Sequence, residues 1–346
     1  MNNMLLICYG TRPELIKISP LLKYLKNKGI KYSSLFSGQH DTLIGVYKDL
    51  LPENPTYIFK DVMIKNQSLC SLFSSVHLKM GNFLKDHPEY KYILVQGDTT
   101  TAIAIGLSAF HEQRKVIHLE AGLRTHDKDS PFPEEVNRLL LGSIANIHLC
   151  PTKQSVINLH KEGITHNVFR VGNTIVDIFD EINKKKQIKK DDYFLITLHR
   201  RENRGNNINN MLDQVKKIDY KCKYITHPSL KELVEEKLRD SNNVEILDPV
   251  DYSKMVKLIN ESKGIITDSG GIQEEAVCAN KKVLICRNTT ERPETIESGY
   301  GKLINTNIIH NITFLLEDNQ HSDKENPYGS DVCSKIYDVL KDTNVI

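Results

Sequence analysis

The residues best suited to chemistry in this sequence begin with the stretch GIITDSGGIQEEAV. A short apolar strand there runs into Ser269, Gly270 and Gly271, and the next helix opens with two glutamates, Glu274 and Glu275. A glycine-rich turn from strand to helix exposes backbone N–H groups, and the helix dipole favours a bound anion such as phosphate. Either the glutamates accept hydrogen bonds from a ribose, which predicts a nucleoside diphosphate, or they only complement the dipole.

A second anion-binding pattern lies in ICYGTRPELIKISPLL, near the beginning of the chain. An apolar strand stops at Gly10, and a helix begins near Pro13 with Arg12 and Lys17 on its opening turns. Two cations at the N-terminus of a helix are unfavourable unless an anion lies between them and the exposed N–H groups. We therefore predict that Arg12 and Lys17 contact an anion. The alternative is a helix with incidental surface charges.

Three carboxylates follow predicted strands. Asp98 ends the apolar strand of VQGDTTTA, and Glu120 has the same position in HLEAGLRT. The segment SPFPEEVNR then contains Glu134 and Arg138. Asp98 alone could be an N-cap, but Thr99 competes for that position. Acids that converge on one site are how enzymes remove and return protons, so the three together predict acid–base chemistry.

Two further motifs place cations after strands in the second half of the chain. TLHRRENRGNN contains His199, Arg200 and Arg201, and CRNTTERPETIESG contains Arg292 after a pair of threonines. A histidine beside two arginines is typical of a phosphate contact, although a lone histidine is usually structural. For Arg292 the alternative is a well-hydrogen-bonded surface loop.

Short apolar segments that alternate with longer amphipathic ones must position these residues. The first set of predicted buried strands comprises MLLICYG, KYILVQGD, KVIHLEAG and NIHLCPT. The second set comprises DYFLITLH, KYITHP, VEILDPV, GIITDSGG and KVLICRN. Each strand ends in glycine or polar residues before a helical pattern begins. This order predicts an α/β fold in which helices cover both faces of parallel sheets.

The two sets of strands predict two Rossmann-like α/β/α domains. A chain of 346 residues is also longer than most single cores. We expect an N-terminal domain over 1–172, a C-terminal domain over 173–330, and a final helix within 331–346 that packs back on the first domain. INKKKQIKKDD, residues 182–192, is predicted to be a solvated linker or helix end. The ligand is expected in a central cleft that the carboxyl ends of both sheets face.

Composition argues against several classes of protein. Lys and Arg number 46 against 44 Asp and Glu, and a net charge of +2 offers no case for nucleic acid or an anionic membrane as partner. The 7 cysteines form no C-x-x-C pair, which predicts neither a zinc site nor a disulfide framework. The opening segment is too short for a signal peptide, and no run approaches about 18 apolar residues. We therefore expect a cytoplasmic protein with reduced thiols.

Eight motifs occur in order over nearly the whole chain: GTRPELIK, GQH, QGDTTTA, HLEAGLRT, PFPEEVNR, HRREN, TDSGGIQEEA and RNTTERPE. Together they resemble the non-hydrolysing UDP-N-acetylglucosamine 2-epimerase family, whose two-domain fold is called GT-B. The resemblance implies that Ser269, Gly270 and Gly271 hold the UDP phosphates and that Glu275 binds the ribose. It also implies that the uracil lies near Val250 and Met255.

The resemblance further implies a reaction. The family interconverts UDP-N-acetylglucosamine and UDP-N-acetylmannosamine: UDP leaves C1 as the C2 proton is removed, and it re-adds to 2-acetamidoglucal after protonation on the other face. Asp98, Glu120 and Glu134 match the acid/base carboxylates, and His199 is counted with the catalytic residues. Substrate and phosphate contacts are assigned to Arg12, Lys17, Arg138, His199 and Arg292. We expect no metal or redox cofactor, a homodimer, and a role in cell-surface polysaccharide synthesis.

Two departures from the family pattern concern regulation. This chain has Asp41 and Thr42 after GQH, where the family usually has an arginine and a polar residue, and Ser75 replaces a usual arginine. These positions belong to a second, activating substrate site in bacterial members. Other residues of that site are retained: Gln39, Arg200 and His227. The changes leave open a related UDP-2-acetamido sugar, in a deoxy or uronic acid form, as the substrate.

Two other functions remain as alternatives at this stage. A GT-B glycosyltransferase shares the fold and the UDP site, but the three carboxylates and the HRREN motif argue against it. An inactive nucleotide-sugar sensor would keep Ser269 and Glu275 while losing the acids, and this chain has all three acids.

Overall fold

The computed structural model describes residues 4–39, 48–64, 67–184, 191–317 and 325–346. The chain divides into unit 1, Met1–Ile178 with Tyr328–Ile346, and unit 2, Phe179–Pro327. Asp41 and Thr42, the substitutions predicted to alter an activating site, lie outside the described residues.

Unit 1 is built on a parallel sheet whose described strands follow the order β3-β2-β1-β4-β5-β6-β7. Its strands are β1 (Met4–Tyr9), β2 (Tyr32–Phe36), β3 (Tyr57–Ile58), β4 (Tyr90–Gln96), β5 (Lys115–Leu119), β6 (Ile147–Cys150) and β7 (Val168–Arg170). Its helices are α1 (Arg12–Asn27), α2 (Leu69–Asp86), α3 (Thr100–His111), α4 (Glu134–Ile144), α5 (Lys153–Lys161) and, later in the chain, α13 (Val332–Asp342). Helix α6 (Ile175–Asn183) runs from unit 1 into unit 2.

Unit 2 repeats this plan, with the strand order β10-β9-β8-β11-β12-β13. Its strands are β8 (Phe194–Thr197), β9 (Cys222–Ile225), β10 (Val244–Leu247), β11 (Gly264–Thr267), β12 (Val283–Ile285) and β13 (Gly301–Leu303). Its helices are α7 (Asn206–Val215), α8 (Lys231–Leu238), α9 (Tyr252–Glu261), α10 (Gly270–Cys278), α11 (Pro293–Glu297) and α12 (Ile308–Asn311). Single 3₁₀ turns cover Lys48–Leu50 in unit 1 and Arg201–Asn203, Pro228–Leu230 and Ile312–Leu315 in unit 2.

The predicted fold class is confirmed, since both sheets are parallel and helices alternate with strands. All nine predicted strands are present. The central strands are buried on both faces, which explains their continuous apolar runs. In unit 1, side chains such as Leu6, Ile93 and Val116 form the core with helices α2 and α3.

Four strands were not predicted: β2, β3, β7 and β13. The sequence of β2, YSSLF, has two serines that break the apolar pattern, yet both are buried. Their hydrogen bonds explain this, because Tyr90 Oη donates to Ser33 Oγ at 2.7 Å and Ser34 exchanges hydrogen bonds with Thr56. The other three strands span only two or three residues, too few for a periodic signal.

The final helix α13 belongs to unit 1. Its first backbone N–H groups, on Val332 and Cys333, donate to the Asp177 carboxylate at 3.0 and 2.7 Å. Asp177 therefore caps the start of α13 from α6, in place of a local capping side chain. The helix also contacts α1, where Tyr24 Oη donates to Ser334 Oγ at 3.0 Å. Across the described ranges, no helix combines the length and apolarity needed to cross a membrane.

Candidate functional site

The turn between β1 and α1 is held by a buried glutamate. The Glu14 carboxylate accepts hydrogen bonds from the backbone N–H groups of Gly10 at 2.8 Å and Thr11 at 2.6 Å. Its other oxygen accepts from Thr99 Oγ1 at 2.6 Å, at the start of α3. Burial raises the pKa of Glu14, and these hydrogen bonds oppose that rise. Glu14 thus links the turn that carries Arg12 to the turn after β4.

Gly10 is required by close packing, because a Cβ atom there would lie 2.0 Å from Ser37 Oγ.

The two cations predicted on this turn have different surroundings. Arg12 is exposed at the first residue of α1, whereas Lys17 is buried one turn later. The buried ammonium group needs a counter-charge, and it finds one in Glu120.

Glu120 lies after β5 at the centre of a buried polar group. Its carboxylate accepts hydrogen bonds from Lys17 Nζ and Gln96 Nε2, and from Asn173 Nδ2 at 3.0 Å. Its backbone has a φ of +68°, in the left-handed region that non-glycine residues rarely adopt. A lysine and two side-chain amides therefore converge on one buried carboxylate.

Asp98, after β4, forms an ion pair with Arg138 of α4. Arg138 Nε and Nη2 lie 2.8 and 2.6 Å from Asp98 Oδ2, and Arg138 Nη1 lies 2.9 Å from Glu135 Oε2. Asn137 adds a hydrogen bond from its side chain to the Asp98 carbonyl at 2.8 Å. Glu134 is the first residue of the same helix and is half-buried. Helix α4 therefore supplies one predicted carboxylate and the cation that holds another.

Gly97 lies between Gln96, the last residue of β4, and Asp98, and its backbone has a φ of +72°. The ring nitrogen Nε2 of His118 lies 2.8 Å from the Gly97 carbonyl oxygen. Burial lowers the pKa of His118 to about 3, so the ring is neutral and Nε2–H donates this hydrogen bond. His118 thereby fixes a turn that the sequence marked only by its glycine.

Two retained residues of the predicted activating site lie in different units. In unit 1, Gln39 follows β2 and accepts a hydrogen bond from Thr101 Oγ1 of α3. Ser75, which replaces the usual arginine, is half-buried on α2. In unit 2, His227 is exposed and its ring stacks on that of His199, with centroids 5.4 Å apart.

In unit 2, Ser269–Gly271 forms the predicted turn from β11 into α10. Ser269 is the N-cap residue, and α10 begins at Gly270. A Cβ atom on Gly270 would lie 2.6 Å from Arg292 Nη1 and 2.9 Å from Glu291 Oε1, so packing requires this glycine. A Cβ atom on Gly271 would meet nothing within 4 Å, so packing does not require that one.

Arg292 lies over this helix N-terminus between two carboxylates. Its Nε donates to Glu274 Oε1 at 2.6 Å, and its Nη1 contacts Glu291 Oε1. Glu291 also pairs with Arg287 at 2.8 Å, and Arg200 Nη2 lies 3.9 Å away. Glu274 is fully buried. The pairing with Arg292 accounts for this glutamate, so only Glu275 remains of the two predicted to meet a ribose.

Glu275 is buried on α10 near Tyr252 of α9. Burial raises the pKa of the Tyr252 hydroxyl well above its usual value, and the Glu275 charge raises it further. Val250 and Met255 are half-buried in the same segment, just before and within α9. The structure thus brings Glu275 close to the segment predicted to contact the uracil.

His199 follows β8, and its turn is held by Asp268, which the sequence analysis did not single out. Both Asp268 oxygens lie 3.0 Å from the His199 backbone nitrogen, and Oδ1 lies 3.4 Å from His199 Nδ1. Other supporting residues were missed as well: Glu14, Gln96, His118, Asn173 and Glu291. All of these residues except Asn173 lie inside the motifs of the sequence, so their place beside functional turns was a usable signal. Within the described ranges, no group of three His, Cys, Asp or Glu side chains is suited to hold a metal ion.

Comparison with known proteins identifies the family. A family model described as UDP-N-acetylglucosamine 2-epimerase matches residues 23–341. The UDP-N-acetylglucosamine 2-epimerase of Campylobacter jejuni is 36% identical over 98% of this chain and 98% of its own. The UDP-GlcNAc 2-epimerase from Neisseria meningitidis, solved bound to UDP-GlcNAc, has a TM-score of 0.88 at 33% identity and covers 98% of this chain and 100% of that one. The Methanocaldococcus jannaschii enzyme, in complex with UDP-GlcNAc and UDP, has a TM-score of 0.88 at 32% identity over 98% and 99%. The chain therefore belongs to the UDP-N-acetylglucosamine 2-epimerase family of isomerases.

Proposed function

We propose that the chain catalyses the reversible C2 epimerisation of UDP-N-acetylglucosamine to UDP-N-acetylmannosamine, by elimination and re-addition of UDP through 2-acetamidoglucal. One observation carries the proposal: Lys17, Asp98, Glu120 and Arg138 are joined in two ion pairs at the carboxyl ends of β4 and β5. Acids paired with cations at adjacent strand ends are suited to move a proton where negative charge develops. The names and bound ligands of the relatives support the same substrate.

The acid cluster, Asp98, Glu120 and Glu134, carries out the proton transfers at C2. A C2–H bond beside an acetamido group is not activated by a carbonyl, so the proton leaves only as the C1–O bond to UDP breaks. The electron pair of the C2–H bond then forms the C1–C2 double bond, and UDP departs with the electrons of the C1–O bond. Protonation of the opposite face of C2, followed by attack of UDP on C1, gives the other epimer.

The departing diphosphate is stabilised by backbone N–H groups and cations. In unit 2, the glycine turn Ser269–Gly271 presents the N-terminus of a nine-residue helix, and Arg292 lies directly over it. Arg12, Lys17, Arg138 and His199 are proposed as further substrate and phosphate contacts. These contacts accelerate the reaction to the extent that they bind the expelled UDP more strongly than the intact substrate.

The nucleoside is recognised by residues of α9 and α10. Glu275 accepts hydrogen bonds from the ribose hydroxyls, and Val250 and Met255 contact the uracil. Glu275 is suited to this role because it is buried beside α9 and, unlike Glu274, is not required by Arg292. A buried carboxylate that accepts two hydroxyl hydrogen bonds distinguishes a ribose from a bare phosphate.

We also propose that the enzyme is a cytoplasmic homodimer whose product feeds cell-surface polysaccharide synthesis. All seven cysteines are free, which suits a reducing compartment. Gel filtration with light scattering measures the oligomeric state, and loss of a surface polymer after deletion of the gene tests the pathway.

Turnover in deuterium oxide tests the reaction. We expect deuterium at C2 of the product, because the removed proton exchanges with solvent or returns from a different group. The purified protein is incubated with UDP-N-acetylglucosamine alone, and C2 is followed by NMR, with Glu120→Gln as the inactive control. Product without deuterium at C2, or transfer of the sugar to an acceptor, would contradict the proposal.

A further inference from the structure

Asp268 is a fully buried carboxylate that has no part in the roles proposed above. It lies between β11 and Ser269, directly before the glycine turn. In the part of the chain that the structure describes, His199 is the only basic side chain within 4 Å of it, and Arg and Lys side chains are absent from that distance. A charged carboxylate removed from water is costly unless hydrogen-bond donors compensate it. The donors that surround Asp268 therefore indicate what it is for.

These donors come mainly from the turn after β8. The backbone N–H of His199 donates to both carboxylate oxygens at 3.0 Å, and that of Arg200 donates to Oδ2 at 2.9 Å. Asn203 Nδ2 also donates to Oδ2 at 2.9 Å, and to the Cys286 carbonyl at 3.0 Å. Because β8 and β11 are adjacent strands, Asp268 joins the His199 turn to the glycine turn.

The ring of His199 is constrained from two directions. Its Nδ1 lies 3.4 Å from Asp268 Oδ1, and its face stacks on His227 with an angle of 12° between the ring planes. His227 Nδ1 accepts a hydrogen bond from the Ser229 backbone N–H at 3.2 Å, which holds the second ring in place. A carboxylate beside one imidazole nitrogen favours the proton on that nitrogen and leaves the other nitrogen for a ligand.

We propose that Asp268 is a positioning residue for the epimerase reaction: it holds His199 with the proton on Nδ1, so that Nε2 is the nitrogen that acts on the substrate. The inference rests on the proposed function in one respect, the assignment of His199 to the substrate. Asp268 acts through His199 and through the backbone of its turn, without touching the substrate.

A double-mutant cycle separates this role from simple structural support. Asp268→Asn keeps the shape of the side chain and removes its charge, and we expect kcat to fall roughly 100-fold with little change in KM. In a His199→Gln background, Asp268→Asn should lower kcat less than about 3-fold, because the effects of residues that act as a unit are not additive. Equal losses in the two backgrounds would overturn the proposal.

The tautomer of His199 provides a second readout, which does not depend on turnover. Nitrogen NMR of the ring should show the proton on Nδ1 in the wild-type protein and on Nε2 in Asp268→Asn. The same tautomer in both proteins would overturn the proposal. Should wild type fail to convert UDP-N-acetylglucosamine, the proposed function falls, while the tautomer measurement still decides the Asp268–His199 relation.

Two further variants control for damage to the turn. Tyr224→Phe removes a buried hydroxyl that donates to the Leu198 carbonyl at 3.3 Å under the same turn and is not one of the hydrogen-bond donors to Asp268. We expect wild-type turnover from it, and a loss as large as that of Asp268→Asn would contradict a specific role. If Asp268→Asn does not fold, Asn203→Ser leaves the carboxylate in place and is carried through the same cycle. We expect Asn203→Ser to lower kcat less than Asp268→Asn does. That loss of kcat must diminish in the His199→Gln background, or the proposal fails.

Discussion

The charged side chains of the two units are paired in different ways. In unit 1, each predicted carboxylate at a strand end pairs with a predicted cation from a helix, Glu120 with Lys17 and Asp98 with Arg138. In unit 2, the predicted Arg292 pairs with Glu274 and Glu291 instead. Unit 1 thus supplies a cation to each of these two carboxylates, whereas the glycine turn of unit 2 depends on two carboxylates that hold Arg292.

The difference follows from the charge that each unit is proposed to handle. Proton transfer needs carboxylates whose protonation is set by nearby cations, so acids and cations lie side by side. Binding of a diphosphate needs hydrogen-bond donors and cations, and a buried arginine needs carboxylate partners to compensate its charge when no ligand is bound. The carboxylates of Glu274 and Glu291 hold the Arg292 guanidinium group beside Gly270, at the N-terminus of α10.

The largest effects are expected in the acid cluster. Asp98→Asn, Glu120→Gln and Glu134→Gln should each lower turnover roughly 100-fold or more, about 2.7 kcal/mol in the barrier, because each removes a proton carrier. UDP should still bind, since none of these three carboxylates is among its proposed contacts. Initial rates measure the first effect and calorimetry the second.

Glu162→Gln is the matched control for these variants. Glu162 also pairs with a buried arginine, Arg124, at 2.7 Å, but it lies at the end of α5 and not at a strand end. We expect wild-type turnover from it. Wild-type rates in all three acid variants would show that the acid cluster matters no more for turnover than the Glu162–Arg124 ion pair.

The ribose assignment in unit 2 predicts the next effect. Glu275→Ala should weaken UDP binding by about 1 to 3 kcal/mol, because the ribose hydroxyls lose a charged acceptor. Glu297→Ala, at the exposed end of α11, is the control and should leave the affinity unchanged. If calorimetry finds the same affinity for Glu275→Ala and wild type, Glu275 serves only the helix.

The two glycines of α10 give a paired prediction. Gly270→Ala should lower the free energy of unfolding by roughly 1 to 3 kcal/mol, because its methyl group would press on an Arg292 side chain that two carboxylates hold in place. Gly271→Ala should not lower it, because that methyl group meets no atom within 4 Å and alanine favours a helix by up to about 1 kcal/mol.

Gly271→Ala should instead weaken UDP binding about 10-fold, roughly 1.4 kcal/mol, if the diphosphate approaches the backbone there. Denaturant unfolding and calorimetry on both variants separate the two effects. Unchanged UDP affinity in Gly271→Ala would show that the phosphates do not approach this glycine.

The smallest effect is expected from the activating site. Ser75 in place of an arginine, and the negative charge of Asp41, both oppose binding of an anionic effector near Gln39. We expect pure UDP-N-acetylmannosamine to be epimerised without a pronounced lag. Added UDP-N-acetylglucosamine should accelerate it far less than the roughly 5- to 150-fold typical of allosteric coupling. A progress curve with a long lag that a trace of the other epimer abolishes would show an intact activating site.

Much of the fold and part of the site could be predicted without coordinates. Alternation of apolar strands with amphipathic helices determines a parallel α/β sheet, because both faces of such a sheet are covered by helices. Residues that follow those strands must then gather at one edge of the sheet. For this reason Asp98 and Glu120 were predicted together, and the structure places them after adjacent strands β4 and β5.

Only the tertiary structure decided the partner of each charge. Lys17 pairs with Glu120, a residue 103 positions away, and Arg292 takes Glu274 while leaving Glu275. Such pairs depend on strand order and on backbone geometry, including the left-handed φ of Glu120, which no local pattern signals. Asp268 shows the same limit: its place in the sequence marks a strand end, but only the adjacency of β8 and β11 makes it the acceptor for the His199 turn.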